Sequence, residues 1–227
     1  MKRLTCVLLA ALMLFAGCGA AEPAPGEELI LAARKWYCSL DSARVDVVND
    51  ETGEHEQVFV YKYDEKGIMT YSYIGTGEGI HLAQYNNGRE QFTDDNGTVT
   101  ALDASDIRFT AYSRDVPYPM ADEGLILFYK SAVIPEESEV TSGGGVTSVR
   151  HKYDVSKLGQ YEGEGRLADF EVSYRFAEDG SLIDFTEVTT VELDGGNTVR
   201  HSYTIYISGC NEVERVENPV DIGEISD

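Results

Sequence analysis

The sequence predicts a mainly β (α+β) domain: an antiparallel open half-barrel of about 8–11 strands, covered by an N-terminal helix and a mid-chain helix. Apolar and polar residues alternate with a period of two, most clearly at Phe170, Val172, Tyr174 and Phe176. Short turns rich in Asn, Asp and Gly separate the alternating segments, as in consecutive hairpins. One apolar face on so long a sheet has to be covered, and only two segments have helical spacing.

The strands are predicted in two runs. Between the runs lie Pro117, Pro119 and a segment with helical spacing. A last segment, 213–222, contains Pro219 and is expected to be an edge strand at best. The first run is 58–63, 68–74, 79–85, 89–93, 98–102 and 107–113, and the second run is 146–155, 170–176, 182–193 and 199–208.

Two helices are predicted. In the first, Leu29, Ala33, Trp36 and Leu40 recur at helical spacing, and the helix is expected to stop near Asp41. The second covers 121–134 and ends at Pro135. Each would present an apolar face to the sheet.

The N-terminus has the features of an export signal. Lys2 and Arg3 precede an uncharged stretch, 4–16, which is too short to span a bilayer. The order Leu-Phe-Ala-Gly-Cys at 14–18 resembles the bacterial lipobox, with Phe15 departing from the usual small or aliphatic residue. The resemblance implies that Cys18 carries a diacylglyceryl anchor, which places the chain at the extracytoplasmic face of the cell membrane. The alternative is a plain secreted protein.

These features divide the chain into a signal peptide (1–17), a lipidated cysteine with a short tether (18–26), one β-rich domain (27–222) and a C-terminal tail (223–227). The chain is acidic, with 18 Lys and Arg against 40 Asp and Glu and a net charge of −22. Membrane surfaces and nucleic acids attract basic proteins, so we expect the lipid to hold the domain at the membrane and exclude nucleic acid as a partner.

Cys38 and Cys210 remain in the exported domain after Cys6 leaves and Cys18 takes the lipid. Outside the cytoplasm two cysteines can form a disulfide, and the alternative is a pair of buried thiols. The four His residues are scattered and no CxxC occurs, so we expect no metal site and no cofactor. The segment 75–79 reads GxGxG rather than GxGxxG, and no catalytic motif is found, so we expect no enzymatic activity.

The element order, the opening "EELILAARKWYCSLDSARVDV" and the closing "NEVERVENPVDI" resemble the LolA/LppX-like lipoprotein-carrier superfamily. The resemblance implies a cavity between sheet and helices that takes acyl chains or another hydrophobic ligand. The alternative is a solid core, because protein interiors are normally filled. The residues expected to line the cavity are Leu29, Ala33, Trp36, Leu40, Phe170, Val172, Tyr174, Phe176, Tyr203, Ile205 and Ile207.

The sequence therefore predicts a non-enzymatic lipoprotein that binds a hydrophobic or lipid-like ligand. An envelope adaptor with a solid core, which would bind another envelope protein, is the alternative. An enzyme whose catalytic residues have no motif is the third class. A continuous apolar cavity would favour the first class and a filled core with an exposed apolar patch the second. Carboxylates converging in a cleft would favour the third.

Overall fold

A computed structural model describes residues 23–77, 80–121, 134–158 and 165–221. Within them the chain forms one α-helix and eleven strands, which confirms a mainly β fold. The helix is α1 (Glu27–Cys38). The strands are β1 (Ser42–Asn49), β2 (His55–Tyr63), β3 (Met69–Gly77), β4 (Ile80–Asn86), β5 (Glu90–Asp95), β6 (Thr98–Asp103), β7 (Glu137–Gly143), β8 (Val146–Lys152), β9 (Arg166–Ala177), β10 (Leu182–Glu192) and β11 (Thr198–Ser208).

The eleven strands form one antiparallel sheet in the order β6-β5-β4-β3-β2-β1-β11-β10-β9-β8-β7. Two meanders, β1 to β6 and β7 to β11, meet where β1 pairs with β11, with Val45 opposite Ile207. The chain thus starts at the centre of the sheet, runs to one edge, crosses to the other edge and returns to the centre. The sheet is open, because β6 and β7 are its two edges.

One face of the sheet carries the hydrophobic core, and we call it the core face. Helix α1 packs on it, and so do Tyr112, Tyr118 and Met120 from the connection that crosses between the edges. The opposite face is called the outer face. On β2, for example, Phe59 and Tyr61 are buried on the core face, whereas Val60 and Lys62 alternate with them on the outer face.

Helix α1 begins where the backbone turns sharply at Gly26, which has a φ of 79°. A side chain at Gly26 would lie 2.6 Å from two methyl carbons of Val149 on β8, so the helix start can approach the sheet only with glycine there. Glu27 and Glu28 in the first turn complement the helix dipole. The helix ends at Cys38, three residues earlier than predicted.

The predicted strand 107–113 is wrong. The side chains of Asp103 and Asp106 accept hydrogen bonds from the backbone N–H of Ser105 and Arg108, which folds the chain into two consecutive turns. Ile107 is 99% exposed as a result. Of the predicted strand, only Ser113 forms a bridge, to Ile68. The apolar residues in this stretch therefore do not alternate across a sheet.

The predicted second helix, 121–134, lies mostly outside the described residues. Ala121 ends a short 3-10 helix, Pro119–Ala121, and Ile134 is exposed in an irregular segment. Strand β7 was not predicted from the sequence, because it is polar and mostly exposed at the sheet edge and has no apolar alternation. The signal peptide, Cys18 and the tail 223–227 also lie outside the described residues.

The last described segment, 209–221, forms no strand and crosses the outer face of the sheet; we call it the C-terminal strap. The ammonium of Lys62 donates hydrogen bonds to the carbonyl oxygens of Val213 and Glu214, both at 2.9 Å. Within the strap, the side chains of Val216 and Val220 are buried. The expectation of an edge strand at 213–222 is corrected: side-chain contacts with the outer face, rather than ladder hydrogen bonds, hold this segment.

Candidate ligand-binding site on the core face

The sequence-predicted lining residues on the strands all lie on the core face. Five of them are buried in the hydrophobic core, and Tyr203 and Ile207 are half-buried against it. The five buried residues are Phe170, Val172, Tyr174, Phe176 and Ile205. The structure thus brings these side chains to one face of the sheet, on β9 and β11, which lie on either side of β10.

Of the predicted lining residues in and just after helix α1, three pack on the core and one is exposed. Ala33 and Leu40 are buried and Leu29 packs against the core, but Trp36 is 38% exposed. The buried positions of α1 are Ile30, Ala33, Arg34 and Tyr37, which recur at three- and four-residue spacing. Trp36 lies beside that face, so the prediction that it opposes the sheet is wrong.

Aromatic rings fill the other half of the core face. Tyr118 stacks on Phe59 and on Tyr71, with ring centroids 5.4 Å and 4.2 Å apart. Tyr37 donates a hydrogen bond from its hydroxyl to the carbonyl oxygen of Met120 at 2.9 Å. Burial raises the pKa of Tyr71 strongly and that of Tyr118 to about 12, so these phenols stay neutral. This half is closely packed rather than open.

A polar cluster interrupts the core face between α1 and β9. His151 is buried, and its Nε2 donates to the carbonyl oxygen of Pro25 at 3.0 Å. Since that nitrogen carries the proton, Nδ1 is left to accept from the hydroxyl of Tyr153 at 3.4 Å. The buried guanidinium of Arg34 exerts a favourable electrostatic effect on the phenolate form of Tyr174. Polar groups therefore reach deep into an otherwise apolar wall.

Glu187 is the exceptional residue of this wall. It lies on β10 opposite Val172 of β9 and Tyr203 of β11, on the same face as the buried Phe185. Its carboxylate accepts no hydrogen bond and forms no ion pair with the residues that the structure describes. Burial raises the pKa of Glu187 to about 7. A carboxylate in an apolar environment with little access to water carries a desolvation penalty.

The Glu187 carboxylate nevertheless borders open space. Among the described residues, no side-chain oxygen or nitrogen is both fully buried and without a hydrogen-bond partner. Because the Glu187 oxygens have no partner, they must keep some accessible surface, and the residue as a whole is only half-buried. The Glu187 carboxylate is therefore accessible rather than sealed within the core.

A second concave region lies on the outer face. It is a groove of about 400 Å³ between Val58, Val60 and Ile74 of the sheet and Val213 and Pro219 of the C-terminal strap. Its arginines are already engaged, since Arg44 pairs with Asp46 at 2.7 Å and Arg215 with Glu217 at 3.2 Å. These arginines are therefore not free to bind a ligand, and we take the core face as the candidate site.

Sequence analysis missed Glu187, Arg34 and His151. A signal for Glu187 was present, because it takes an inward position in the alternation Phe185, Glu187, Thr189, Val191. For Arg34 the signal was its spacing of four from Ile30 on the buried face of α1. His151 has no comparable signal, since the strand pairing alone places it beside Tyr174, with ring centroids 6.3 Å apart.

The structure carries Cys38 and Cys210 as free thiols, the first exposed and the second half-buried. The chain segments near them are joined, because the Asn211 side chain accepts from the backbone N–H of Asp41. The disulfide stays a prediction. Within the described ranges, no group of three or more His, Cys, Asp or Glu side chains is placed to hold a metal ion. None of the helices described there is long and apolar enough to cross a membrane.

No protein-family model matches the chain, and no curated protein matches it. Among solved structures it is similar to LprF from Mycobacterium bovis, at 13% identity and a TM-score of 0.42, over 89% of this chain and 100% of that one. It is also similar to Rv2717c from M. tuberculosis (11%, TM-score 0.27, 82% and 99% covered). A LolA superfamily protein from Nitrosomonas europaea aligns at 8% and a TM-score of 0.26, covering 81% and 91%. Similarities this low leave the function to be argued from the residues of this chain.

Proposed function

We propose that this protein is a membrane-anchored extracytoplasmic lipoprotein that binds a hydrophobic or lipid-like ligand on the core face of its sheet, without catalysing a reaction. The observation that carries the proposal is the Glu187 carboxylate, which stays accessible on the apolar core face and has no hydrogen-bond partner among the described residues. A solid core would bury such a group with a donor or replace it by an apolar residue.

The surroundings of the Glu187 carboxylate fit an apolar ligand. On β11, Tyr203 and Ile207 are half-buried and keep accessible surface on the core face, whereas Val172 and Phe185 are fully buried and form the packed layer beneath. Binding sites for small molecules are commonly lined by apolar and aromatic side chains with a few polar groups that fix orientation. Glu187 supplies such a group on the core face.

The membrane anchor rests on the lipobox-like order that ends at Cys18. Two acyl chains on one cysteine are enough for stable attachment to a bilayer. We expect the full chain to sediment with membranes and the Cys18→Ser variant to lose that association. A Cys6→Ser variant is the matched control, because Cys6 lies within the predicted signal peptide. Equal membrane association of all three proteins would contradict lipidation at Cys18.

Ligand binding is tested on residues 19–227, which contain every residue that the structure describes. Gentle purification followed by native mass spectrometry should reveal extra mass that organic solvent removes. The protein should then take up added fatty alcohol or phospholipid again. A bare mass without uptake of any added lipid would overturn the proposal and favour the envelope adaptor with a solid core.

The place of binding is tested with tryptophan fluorescence. In a Trp36→Phe background, Tyr203→Trp puts the probe on the core face, and Tyr206→Trp puts it on the outer face of the same strand. A brominated fatty alcohol should quench the probe at 203 saturably and leave the probe at 206 nearly unchanged. Equal quenching of both probes would contradict a core-face site.

A further inference from the structure

The chemistry of the ligand's polar end follows from the hydrogen-bond donor that the Glu187 carboxylate lacks among the described residues. Its neighbours on β9, β10 and β11 are Val172, Phe185, Thr189 and Tyr203, and none of them donates a hydrogen bond to it. A carboxylate that loses its water without gaining a donor is destabilised in its charged form. The group that would complete this site is therefore a hydrogen-bond donor.

The charges around Glu187 indicate which charge the polar end of a ligand can carry. Tyr174 on β9 lies close enough for the Glu187 charge to oppose ionisation of its phenol. Tyr203 on β11 is opposite, and His201 is two residues further along the same strand face. Arg34 of α1 lies close enough to Tyr174 for its positive charge to favour the phenolate, and it has a further interaction of its own. A second anion beside Glu187 would meet like charge, and no cation among the described residues pairs with Glu187 to offset it.

We propose that the ligand is an amphiphile whose polar end carries an N–H or O–H donor, as in a long-chain amine or alcohol, and that this donor bonds to the Glu187 carboxylate. The apolar chain would lie along the core face, against its half-buried side chains such as Tyr203 and Ile207. The inference rests on the proposed function and deepens it by naming the class of ligand. It excludes fatty-acid anions as the preferred ligand.

The test compares four probes with the same alkyl chain: dodecylamine, dodecanol, dodecyltrimethylammonium and dodecanoate. Each competes with the brominated alcohol for the Tyr203→Trp, Trp36→Phe protein at pH about 8, where Glu187 is ionised. Dodecylamine should bind about tenfold or more tightly than dodecanoate, because hydrogen bonds to charged groups are strong. Dodecanol should also bind more tightly than dodecanoate.

The quaternary ammonium probe separates a donor from a mere positive charge, since it has the charge of the amine but no N–H. It should bind clearly more weakly than dodecylamine. Glu187→Gln in the same background should remove the preference for the amine, and Glu187→Leu should do so without adding a new polar group. Glu178→Gln, which changes an exposed turn residue, is the matched control and should keep the preference.

The outcomes separate the two claims. If the brominated alcohol does not quench the probe at 203 and no probe changes the native mass, the proposed function itself fails. If all four probes displace it equally, or if dodecanoate binds best, the core-face site stands and the donor inference is overturned. Loss of the preference in Glu178→Gln would also overturn it, because the effect would then reflect the overall acidity of the chain.

Discussion

At the scale of single residues, Glu187 links stability to pH. Its pKa is about 7 in the folded protein because of burial, above the value of about 4.3 for an exposed glutamate. The folded state therefore holds a proton that the unfolded state has lost. Stability should fall as pH rises from about 4 to about 7 and stay at the lower level above that range.

Glu187→Gln removes this ionisation. We expect the variant to be more stable than the parent at pH about 8 by roughly 1–3 kcal/mol and about equal to it at pH about 4. Urea unfolding of both proteins across this pH range measures the difference. Glu178→Gln should show no such pH-dependent difference. A Glu187→Gln gain that is the same at every pH would argue against a raised pKa as its cause.

Arg175 and Asp184 form the most deeply buried ion pair of those described on the outer face. The guanidinium donates from Nε and Nη2 to the two carboxylate oxygens, and the Asp184 side chain is 2% exposed. Arg175→Met leaves a buried carboxylate without its cation, which should cost about 2 kcal/mol of unfolding free energy.

Arg108→Met is the matched control for that variant. Arg108 binds Asp106 with the same two donor groups, but its side chain is 73% exposed. Exposed pairs contribute little, so we expect no measurable loss of stability. If both variants lost the same free energy of unfolding, burial of the carboxylate would not explain the stability that the Arg175–Asp184 pair contributes.

At the scale of elements, the C-terminal strap depends on side chains rather than on strand pairing. Val216 and Val220 are buried, and Lys62 holds two strap carbonyls. Val216→Ala removes two buried methyl groups and should lower the free energy of unfolding by about 1.5 kcal/mol. Val99→Ala on β6, where the side chain is 40% exposed, should leave it nearly unchanged. A neutral Val216→Ala variant would mean that the strap is not packed as described.

The elements also show why some sequence predictions were accurate. Hairpin strands such as β9 and β10 are encoded locally, by alternation and by a turn at Asp179 and Gly180. Strand β7 escaped prediction because it is polar on both faces and is held by pairing with β8. The predicted strand at 107–113 failed because aspartate side chains accept hydrogen bonds from nearby backbone N–H groups, and these turns compete with strand pairing.

At the scale of the whole molecule, the topology brings both ends of the described chain to the middle of the sheet. Helix α1 leads into β1, β1 pairs with β11, and Asn211 after β11 donates to the carbonyl of Ser42. Cys38 and Cys210 flank this junction. The proposed disulfide between them can be tested by measuring how fast each thiol reacts.

In reduced protein we expect Cys38 to be alkylated faster than Cys210. Cys38 is exposed, whereas burial raises the pKa of the Cys210 thiol and so lowers its thiolate fraction. In protein exported to an oxidising compartment, the proposed bridge should protect both from alkylation until a reductant is added. Rapid labelling of Cys38 in that exported protein would contradict the bridge. Peptide mass mapping after timed labelling distinguishes these results.

The sequence by itself determined the β class, the antiparallel hairpins, the opening helix and the apolar side of β9 and β11. These depend on local periodicity and turn residues, which neighbouring positions specify. The tertiary structure decided which polar residues lie within the core. Glu187, Arg34 and His151 become neighbours of Tyr174 only when β8 to β11 pair and α1 packs on them. Such contacts join residues distant in the chain, and no local pattern records whether a buried charge finds a partner.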